Sequence, residues 1–333
     1  MLNHIWIQLI SHLKVSISKA EEAKDFLIKN SFLNESFLPI KDEESILWPL
    51  NCDNVEFDGE IIECEGLRQL KKSRDYRSKL NKDIAELAPR SFDIFGEIAI
   101  IRLIDDLINN EKEIAGALLE SHSNIKTVCI DLGVEGEYRL RNLRVIDGRD
   151  SFISIHKENG MKFEADISKV YFSPRLATER ERVSSLSGED EFVLDAFSGV
   201  APFSVSLAKR GCKILALDSN PEAKKWALRN FTANKLSKDI FDYYTTKFEE
   251  YDFGNNMFDR IIMNNPTNCL PYLGKALSLL MAGGWIHFYH ISPKDDSFNI
   301  EEYLSSGYEC VRKREVHPYS PSSSLFAFDI KRF

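Results

Sequence analysis

The stretch that most constrains the fold is a short apolar run followed by a loop, residues 192–203, with the sequence FVLDAFSGVAPF. The run ends on Asp195, the loop contains Gly199, and a helical pattern begins at Pro202. A strand, a tight turn and a helix start are typical of an open parallel sheet, in which ligands bind at the carboxyl ends of the strands. Gly199 lets the backbone approach such a ligand closely. The sequence therefore predicts a ligand site here.

The next unit indicates which ligand. Residues 213–217 predict a second strand that ends on Asp218, and Asn220 and Pro221 predict a capped helix after it. An acid about 20 residues after the first turn is placed to bind ribose hydroxyls. Because the turn lacks the full G-x-G-x-x-G pattern, a pyrophosphate cofactor is disfavoured. S-adenosyl-L-methionine (AdoMet), which has a ribose but no phosphate, fits better.

The α/β alternation continues to the last segments. A helix is predicted over residues 270–281, closed by Gly283 and Gly284, and strands are predicted at 310–316 and 325–330 without a helix between them. A hairpin that finishes a parallel sheet is the topology of AdoMet-dependent methyltransferases. The predicted fold class is α/β, a class I methyltransferase Rossmann-like fold with a terminal β-hairpin, preceded by smaller α+β domains. The predicted domains are 1–65, 66–165 and 166–333.

Composition excludes several classes of protein. No apolar run is long enough to cross a membrane. The six cysteines are scattered, with no C-x-x-C pair and no zinc spacing, which predicts free thiols in a reducing cytoplasm and no metal site. The net charge of −9 argues against a general nucleic-acid coat but not against a local basic face. Residues 68–82 form such a basic stretch.

Several longer stretches together resemble one family, the archaeal and eukaryotic tRNA (guanine-37-N1)-methyltransferases, which are closely related to the wybutosine-pathway transferases. The resemblance runs from residue 92 to the C-terminus, and its most specific string is YFSPRLATER at 171–180. The other matching strings are FDIFGEIA at 92–99, HKENG at 156–160, the 192–203 stretch, Asp218 with Asn220, NNP at 264–266 and YSP at 319–321.

The resemblance implies roles for particular residues. Glu179 is the expected general base, Arg139 the arginine that contacts guanine, and Asn264 the active-site asparagine. A surface ion pair with Arg180 is the plain alternative for Glu179. The strand ends and the resemblance together predict these cofactor-binding residues: Tyr171, Arg175, Asp195, Phe197, Gly199, Asp218 and Asn264.

The implied chemistry needs these residue types. Guanine N1 holds its proton at neutral pH, so a carboxylate within hydrogen-bond reach must accept it during methyl transfer. Negative charge then builds on O6, where the guanidinium of Arg139 stabilises it. The target base must leave the anticodon-loop stack to enter the site.

The resemblance also implies a tRNA partner. The expected phosphate-contacting residues are Lys71, Lys72, Arg74, Arg77 and Arg141. Residues 1–65 become a tRNA-docking domain and 66–165 an RNA-binding domain that supports catalysis. We expect a cytoplasmic monomer with no obligatory protein partner.

Three positions depart from the family pattern. Ala201 stands where the family has glycine, and its methyl group is expected to narrow the methionine side of the cofactor site. Asn265 replaces leucine. Lys247 occupies the place of an acid that binds the adenine amine, and Glu249 or Glu250 is the expected substitute.

Other functions stay open at this point. A wyosine intermediate is a possible additional substrate. A wybutosine-pathway aminocarboxypropyltransferase would use the same cofactor, but Glu179 and the Asn-x-Pro motif favour methyl transfer. An adenine-N6 methyltransferase is disfavoured, because Asn265-Pro266-Thr267 lacks the second proline and the aromatic residue. A non-enzymatic AdoMet- and RNA-binding protein would bind the cofactor without turnover.

Overall fold

The computed structural model describes residues 8–68, 75–138, 140–295 and 297–333. The chain divides into two compact units, Met1–Arg74 and Asp75–Phe333. The boundaries at residues 65 and 165 stay predictions.

The helices are α1 (Ala20–Lys29), α2 (Lys82–Leu87), α3 (Glu111–Ser121), α4 (Ala177–Ser185), α5 (Pro202–Ala208), α6 (Pro221–Ala233) and α7 (Leu273–Ser278). The strands of the first unit are β1 (Gln8–Ser16), β2 (Phe37–Leu38), β3 (Ile40–Lys41), β4 (Ser45–Pro49) and β5 (Glu60–Arg68). Those of the second unit begin with β6 (Asp93–Phe95), β7 (Ile98–Ile101), β8 (Thr127–Glu135), β9 (Leu140–Gly148), β10 (Ile153–Glu158) and β11 (Met161–Asp166). They continue with β12 (Phe192–Asp195), β13 (Lys213–Asp218), β14 (Phe241–Thr245), β15 (Phe258–Met263), β16 (Leu280–Pro293), β17 (Tyr308–Pro318) and β18 (Ser323–Arg332).

The first unit is a five-stranded sheet in the order β2-β5-β1-β4-β3, with antiparallel pairing throughout. Helix α1 presents Ala23 and Leu27 to a small apolar core that also contains Leu13 of β1. None of the residues that the structure describes in this unit lines the cavity described below.

The second unit contains two sheets and a two-stranded hairpin. A four-stranded sheet has the order β6-β7-β8-β9, and Ile114 and Leu118 of α3 pack in a core with Ile101 and Val128 from its strands. The hairpin β10-β11 follows it in the chain. Together these elements precede the large sheet, as an α+β domain was expected to do.

The large sheet has seven strands in the order β14-β13-β12-β15-β16-β18-β17. Strands β12 to β16 are parallel to one another, and β18 runs antiparallel between β16 and β17. Successive residues of β12 enter different cores, since Val193 packs on one face of the sheet and Leu194 on the other. The predicted α/β class I methyltransferase fold with its terminal hairpin is confirmed.

One helix prediction is wrong in its extent. The helix expected over residues 270–281 begins as a 3-10 turn at Leu270–Tyr272 and ends with α7 at Ser278, and Gly283 and Gly284 lie within β16. The pairing of β15 with β16 shifts register at this point, Gly283 has a φ of +80°, and a Cβ on Gly284 would lie 2.8 Å from the Asp259 carbonyl oxygen. The two glycines therefore serve a strand irregularity and not a helix end.

Two asparagines of α6 hold the hairpin next to the large sheet. Asn234 accepts a hydrogen bond from the Lys162 N–H at 2.9 Å, and Asn230 accepts one from the Glu164 N–H at 2.7 Å. The Asn230 amide also donates to the carbonyl oxygen of Val200 at 3.0 Å. Asn230 is fully buried, and it satisfies a partly buried N–H group of β11 and a buried carbonyl group of the loop after β12.

We expect Asn230→Ala to lower the free energy of unfolding by about 2–3 kcal/mol, because it removes the partners of a buried carbonyl group and a partly buried N–H group. Thr232→Ala on the same helix, where the hydroxyl bonds only to the helix's own Leu228 carbonyl, should change it by less than about 0.5 kcal/mol. Urea denaturation of both variants measures the difference. Equal, small effects would contradict the assigned role of Asn230.

Candidate active site

A cavity of about 640 Å³ lies in the second unit at the carboxyl ends of β13, β12 and β15. This volume is within the range of sites that bind cofactors and small molecules. The predicted site residues that line it are Tyr171, Arg175, Phe197, Gly199, Asp218, Asn264 and Arg141. Seven predicted residues, which are up to 123 positions apart in the chain, are therefore brought to one surface.

The Asp218 carboxylate lines the cavity and is held by two backbone N–H groups. Its Oδ2 accepts a hydrogen bond from the Gly199 N–H at 2.7 Å, and its Oδ1 accepts one from the Asn220 N–H at 2.8 Å. Burial raises its pKa above the ordinary value. Two backbone donors fix the orientation of the carboxylate while each oxygen keeps a lone pair for another donor.

Gly199 has a left-handed backbone, with a φ of +52°. This conformation turns the chain sharply after β12 and points the Gly199 N–H at Asp218. The carbonyl oxygen of the same residue accepts a hydrogen bond from the Tyr243 hydroxyl of β14 at 2.8 Å. Both backbone polar groups of Gly199 therefore join the turn to other strands, the N–H to β13 and the carbonyl oxygen to β14.

Two aromatic side chains face the same cavity. Phe197 packs against Phe248 and Tyr272, with ring centroids 5.9 and 6.2 Å apart, whereas Tyr171 is largely exposed. Asn264 lines the cavity directly after β15. Aromatic surfaces beside an ordered carboxylate suit a nucleoside, which needs stacking for its base and acceptors for its ribose.

Asp195 lies beneath the cavity and is not among the residues that line it. It is buried, its Oδ2 accepts a hydrogen bond from the Ser204 hydroxyl at 2.6 Å, and its Oδ1 has no hydrogen-bond partner. Burial raises the pKa of Asp195 to about 7. In this position Asp195 joins the end of β12 to α5 and supports the loop that carries Phe197 and Gly199.

The departures from the family pattern lie at the edge of the site or outside it. Ala201 is fully buried behind the cavity, with a φ of +65° at the start of α5, so the expectation that its methyl group narrows the cavity is not met. Asn265 lines the cavity. Lys247 pairs with Glu137 of the β8–β9 turn at 2.9 Å, and neither Glu249 nor Glu250 is a lining residue.

A row of alternating charges that the sequence did not predict runs along one wall of the cavity. Asp93 bridges Arg175 and Arg141, with N–O distances of 2.8 and 2.9 Å, and Asp131 pairs with Arg102 at 3.0 Å. Arg141 also lies 3.9 Å from Asp131. Asp93 lies in the FDIFGEIA string, but nothing in that string predicts that Asp93 pairs with Arg175 and Arg141.

Glu179 is 1% exposed and does not line the cavity. The hydroxyl of Tyr289 donates to its Oε1 at 2.9 Å, Arg182 contacts both oxygens at 2.6–3.1 Å, and Arg314 lies 3.1 Å from Oε2. The alternative of a surface pair with Arg180 is wrong, because Arg180 is buried and pairs with Glu158 at 2.5 Å. The predicted base is thus held by three donors behind the cavity wall.

The contacts of Glu179 continue through the sheet. Arg182 also pairs with Asp329 at 2.6 Å, and Asp329 accepts from the Nδ1 of His287 at 2.6 Å. Burial lowers the pKa of His287, so its neutral ring donates from Nδ1 and accepts at Nε2 from Arg260. Although burial opposes it, hydrogen bonds from His287 and Arg182 hold the pKa of Asp329 well below its usual range.

Several predicted RNA contacts lie outside the described residues, namely Lys71, Lys72, Arg74 and Arg139. Arg77 is described, and its guanidinium pairs with Asp75 at 2.7 Å, two residues before it. Within the described ranges, no cluster of three or more His, Cys, Asp or Glu side chains is arranged to hold a metal ion. In the same ranges, none of the helices has the length and apolar character needed to span a membrane.

The sheet order, the terminal hairpin and the strand-end cavity together define a class I AdoMet-dependent methyltransferase. The residues present fit the cofactor. Asp218 offers a fixed carboxylate for the ribose, and Tyr171 and Phe197 offer aromatic surfaces for the adenine.

Comparison with known proteins identifies the family. Residues 154–317 match the TRM5/TYW2 methyltransferase domain, and residues 75–151 match the TYW2 N-terminal domain. The tRNA (guanine(37)-N(1))-methyltransferases Trm5b of Pyrococcus abyssi and Methanocaldococcus jannaschii are 34% and 32% identical to this chain, in each case over 96% of it and 98% of the relative. The chain belongs to this tRNA methyltransferase family.

Solved structures agree with this assignment. Trm5b from Pyrococcus abyssi has a TM-score of 0.73 and 34% identity, over 97% of this chain and 99% of that one. A complex of aTrm5 with tRNALeu has a TM-score of 0.71 and 31% identity over the same shares. A Methanocaldococcus jannaschii Trm5 complex with adenosine has a TM-score of 0.67 and 28% identity, again over 97% and 99%.

The raised pKa of Asp195 predicts a pH dependence of stability. Between the ordinary pKa of an aspartate and about 7, the folded state binds more protons than the unfolded state, so stability falls as pH rises, by up to about 1.4 kcal/mol per pH unit. Asp195→Asn removes this contribution. We therefore expect the difference in free energy of unfolding, variant minus parent, to become more positive between pH 5 and pH 7. Denaturant titrations across this range measure the difference. A difference that is constant with pH would contradict the assignment.

Proposed function

We propose that this protein is a tRNA (guanine-37-N1)-methyltransferase, which transfers a methyl group from AdoMet to N1 of the guanosine 3′ of the anticodon. The observation that carries the proposal is the cavity at the strand ends. It is lined both by the fixed Asp218 carboxylate and, from the 75–151 region, by Arg141 beside the predicted guanine contact at position 139. Relatives that match nearly the whole chain carry the name of this activity.

AdoMet, when bound, supplies a methyl group that its sulfonium already activates. The chain must then bind the nucleoside portion, place guanine N1 in line with the methyl group, and accept the N1 proton. We assign the first task to Asp218 with Tyr171 and Phe197, and the second to Asn264 and the arginines of the β9 region. Arg139 stabilises the charge that develops on O6.

Glu179 is assigned the third task, and its surroundings set a condition for that role. Because Glu179 does not line the cavity, one of its three donors has to move aside before a base in the cavity comes within reach of the carboxylate. Arg314 is the most exposed donor, at 35% of its side chain, whereas Arg182 is mostly buried and Tyr289 fully so. Arg314 lies on β17, the edge strand, where tRNA phosphates are able to attract its guanidinium.

The related aminocarboxypropyltransferase activity receives less support. The tRNA(Phe) (4-demethylwyosine(37)-C(7)) aminocarboxypropyltransferase of Pyrococcus horikoshii is 27% identical over 78% of this chain and 96% of its own length. About a fifth of this chain therefore has no matching segment in that relative. Additional methylation of a wyosine intermediate is retained as part of the proposal.

The proposal includes the organisation of the chain. Residues 1–65 dock tRNA, 66–165 bind RNA and support catalysis, and 166–333 bind AdoMet. Lys71, Lys72, Arg74 and Arg77 contact the tRNA backbone. The enzyme acts in the cytoplasm as a monomer.

Methyl transfer to two tRNA transcripts that differ only in G or A at position 37 tests the function. With labelled AdoMet and nucleoside mass spectrometry, we expect 1-methylguanosine from the G transcript and no methylated nucleoside from the A transcript. Transfer of the aminocarboxypropyl group, methylation of the A transcript, or AdoMet binding with no transfer to any tRNA would each contradict the proposal.

Glu179→Gln tests the proposed base. Because the amide keeps the size of the side chain but does not accept the N1 proton, we expect a loss of at least about 100-fold in kcat with unchanged AdoMet affinity. Tyr289→Phe is the matched control, since it removes one donor from the same carboxylate and leaves the acid in place. We expect this control to retain activity within about ten-fold. Full activity of Glu179→Gln, or an equal loss in both variants at equal thermal stability, would rule out Glu179 as the base.

A further inference from the structure

Asp93 joins two parts of the cavity that the proposed function assigns to different ligands. It is the first residue of β6, and its Oδ1 accepts a hydrogen bond from the Arg175 Nε at 2.8 Å, while its Oδ2 accepts one from the Arg141 Nη2 at 2.9 Å. Arg141 lies on β9 of the four-stranded sheet, and Arg175 lies just before α4. A single carboxylate thus fixes two guanidiniums that come from separate segments of the chain.

All three residues line the cavity, but they present different charges to it. An unpaired carboxylate here would repel both tRNA phosphates and the developing negative charge on guanine O6. With both oxygens paired, Asp93 instead sets where the two positive groups point. Asp93 is therefore suited to orient the arginines and not to contact the RNA.

The ion pair between Asp93 and Arg141 is less exposed to solvent than a surface ion pair. The side chains of Asp93 and Arg141 are only 16% and 17% exposed, so solvent screens their attraction less than at an open surface. Burial acts to raise the pKa of Asp93, but the guanidiniums of Arg141 and Arg175 hold it below the ordinary value. The carboxylate is therefore ionised at neutral pH.

The row of five charged residues along this wall contains one more positive group than negative groups. Arg175, Arg141 and Arg102 alternate with Asp93 and Asp131, so three positive groups face two negative ones. The residual charge favours an anionic ligand. Arg175 stands at the end of the row that belongs to the cofactor-binding segment 171–175, and Asp93 is the acid that joins it to the rest of the row. Displacing Arg141 toward a phosphate would change the partners of Asp93 and hence the position of Arg175.

We propose that Asp93 is a positioning residue that couples the tRNA-binding side of the cavity to the AdoMet-binding side by holding Arg141 and Arg175 on one carboxylate. The coupling rests on the proposed function. It requires that a change at Arg141 alter AdoMet affinity, and that this effect disappear when Asp93 no longer bridges the two arginines.

A double-mutant cycle on AdoMet affinity, measured by calorimetry without tRNA, tests the coupling. Lysine does not reproduce the contact of Arg141, because its single ammonium lacks the planar fork. We expect Arg141→Lys to weaken AdoMet binding about five-fold in the parent and less than about 1.5-fold in an Asp93→Asn background. Arg144→Lys is the matched control, since Arg144 lies on the same strand and pairs with Glu111 away from the cavity. It should leave the affinity unchanged.

Steady-state kinetics distinguish a positioning role of Asp93 from a purely structural role. We expect Asp93→Asn to raise KM for tRNA about five- to ten-fold with a smaller change in kcat, at a melting temperature close to that of the parent. If Asp93→Asn does not fold, Arg175→Lys replaces it in the cycle, because it breaks the bridge from the other side. Equal effects of Arg141→Lys in both backgrounds, or no effect in the parent, would overturn the coupling. A parent protein that binds no AdoMet would overturn the proposed function itself.

Discussion

The two hydrogen bonds from the Gly199 and Asn220 backbone N–H groups to the Asp218 carboxylate are the constraint on which the rest of the site depends. They join the loop after β12 to the end of β13, and they require the left-handed backbone of Gly199. Surrounding contacts reinforce the same loop. Tyr243 donates to the Gly199 carbonyl, and Asn230 donates to the Val200 carbonyl. The protein's own contacts thereby hold the strand ends in one geometry, which is the preorganisation that cofactor binding and methyl transfer both need.

Two groups of charges flank this loop, and burial gives them different roles. The group around Glu179 is buried except for the partly exposed Arg314, and it extends through Arg182 and Asp329 to His287. Every buried charge there has a partner, as the low dielectric surroundings demand. The row around Asp93 borders the cavity and keeps more positive than negative groups, so it remains available to an anionic ligand. The first group places a base and the second places the arginines that meet RNA.

The sequence predicts the parts of this fold that depend on local patterns. Apolar runs that end on Asp195 and Asp218 mark the strand ends, and two strands without an intervening helix mark the terminal hairpin. Contacts between distant segments leave no such pattern. The partners of Glu179 at 289 and 314 and the bridge from Asp93 to Arg141 and Arg175 are set by how the sheets pack. Gly283 and Gly284 are a second case in which the local sequence does not determine the structure. Glycine suits a helix end and a strand bulge equally, so only the pairing of β15 with β16 decides between them.

The affinity of Asp218→Asn for AdoMet tests the central claim most directly. Asparagine keeps the shape of the side chain but loses the charge and one of the two acceptor oxygens, and bonds from ribose hydroxyls to a charged acceptor contribute about 1.5–3 kcal/mol. We expect calorimetry to show AdoMet binding at least about ten-fold weaker than in the parent. Asp242→Asn, an exposed position on β14, should leave it unchanged. An Asp218→Asn variant that folds normally and binds AdoMet within about two-fold of the parent would contradict the account, because the ordered strand-end carboxylate would then not hold the cofactor.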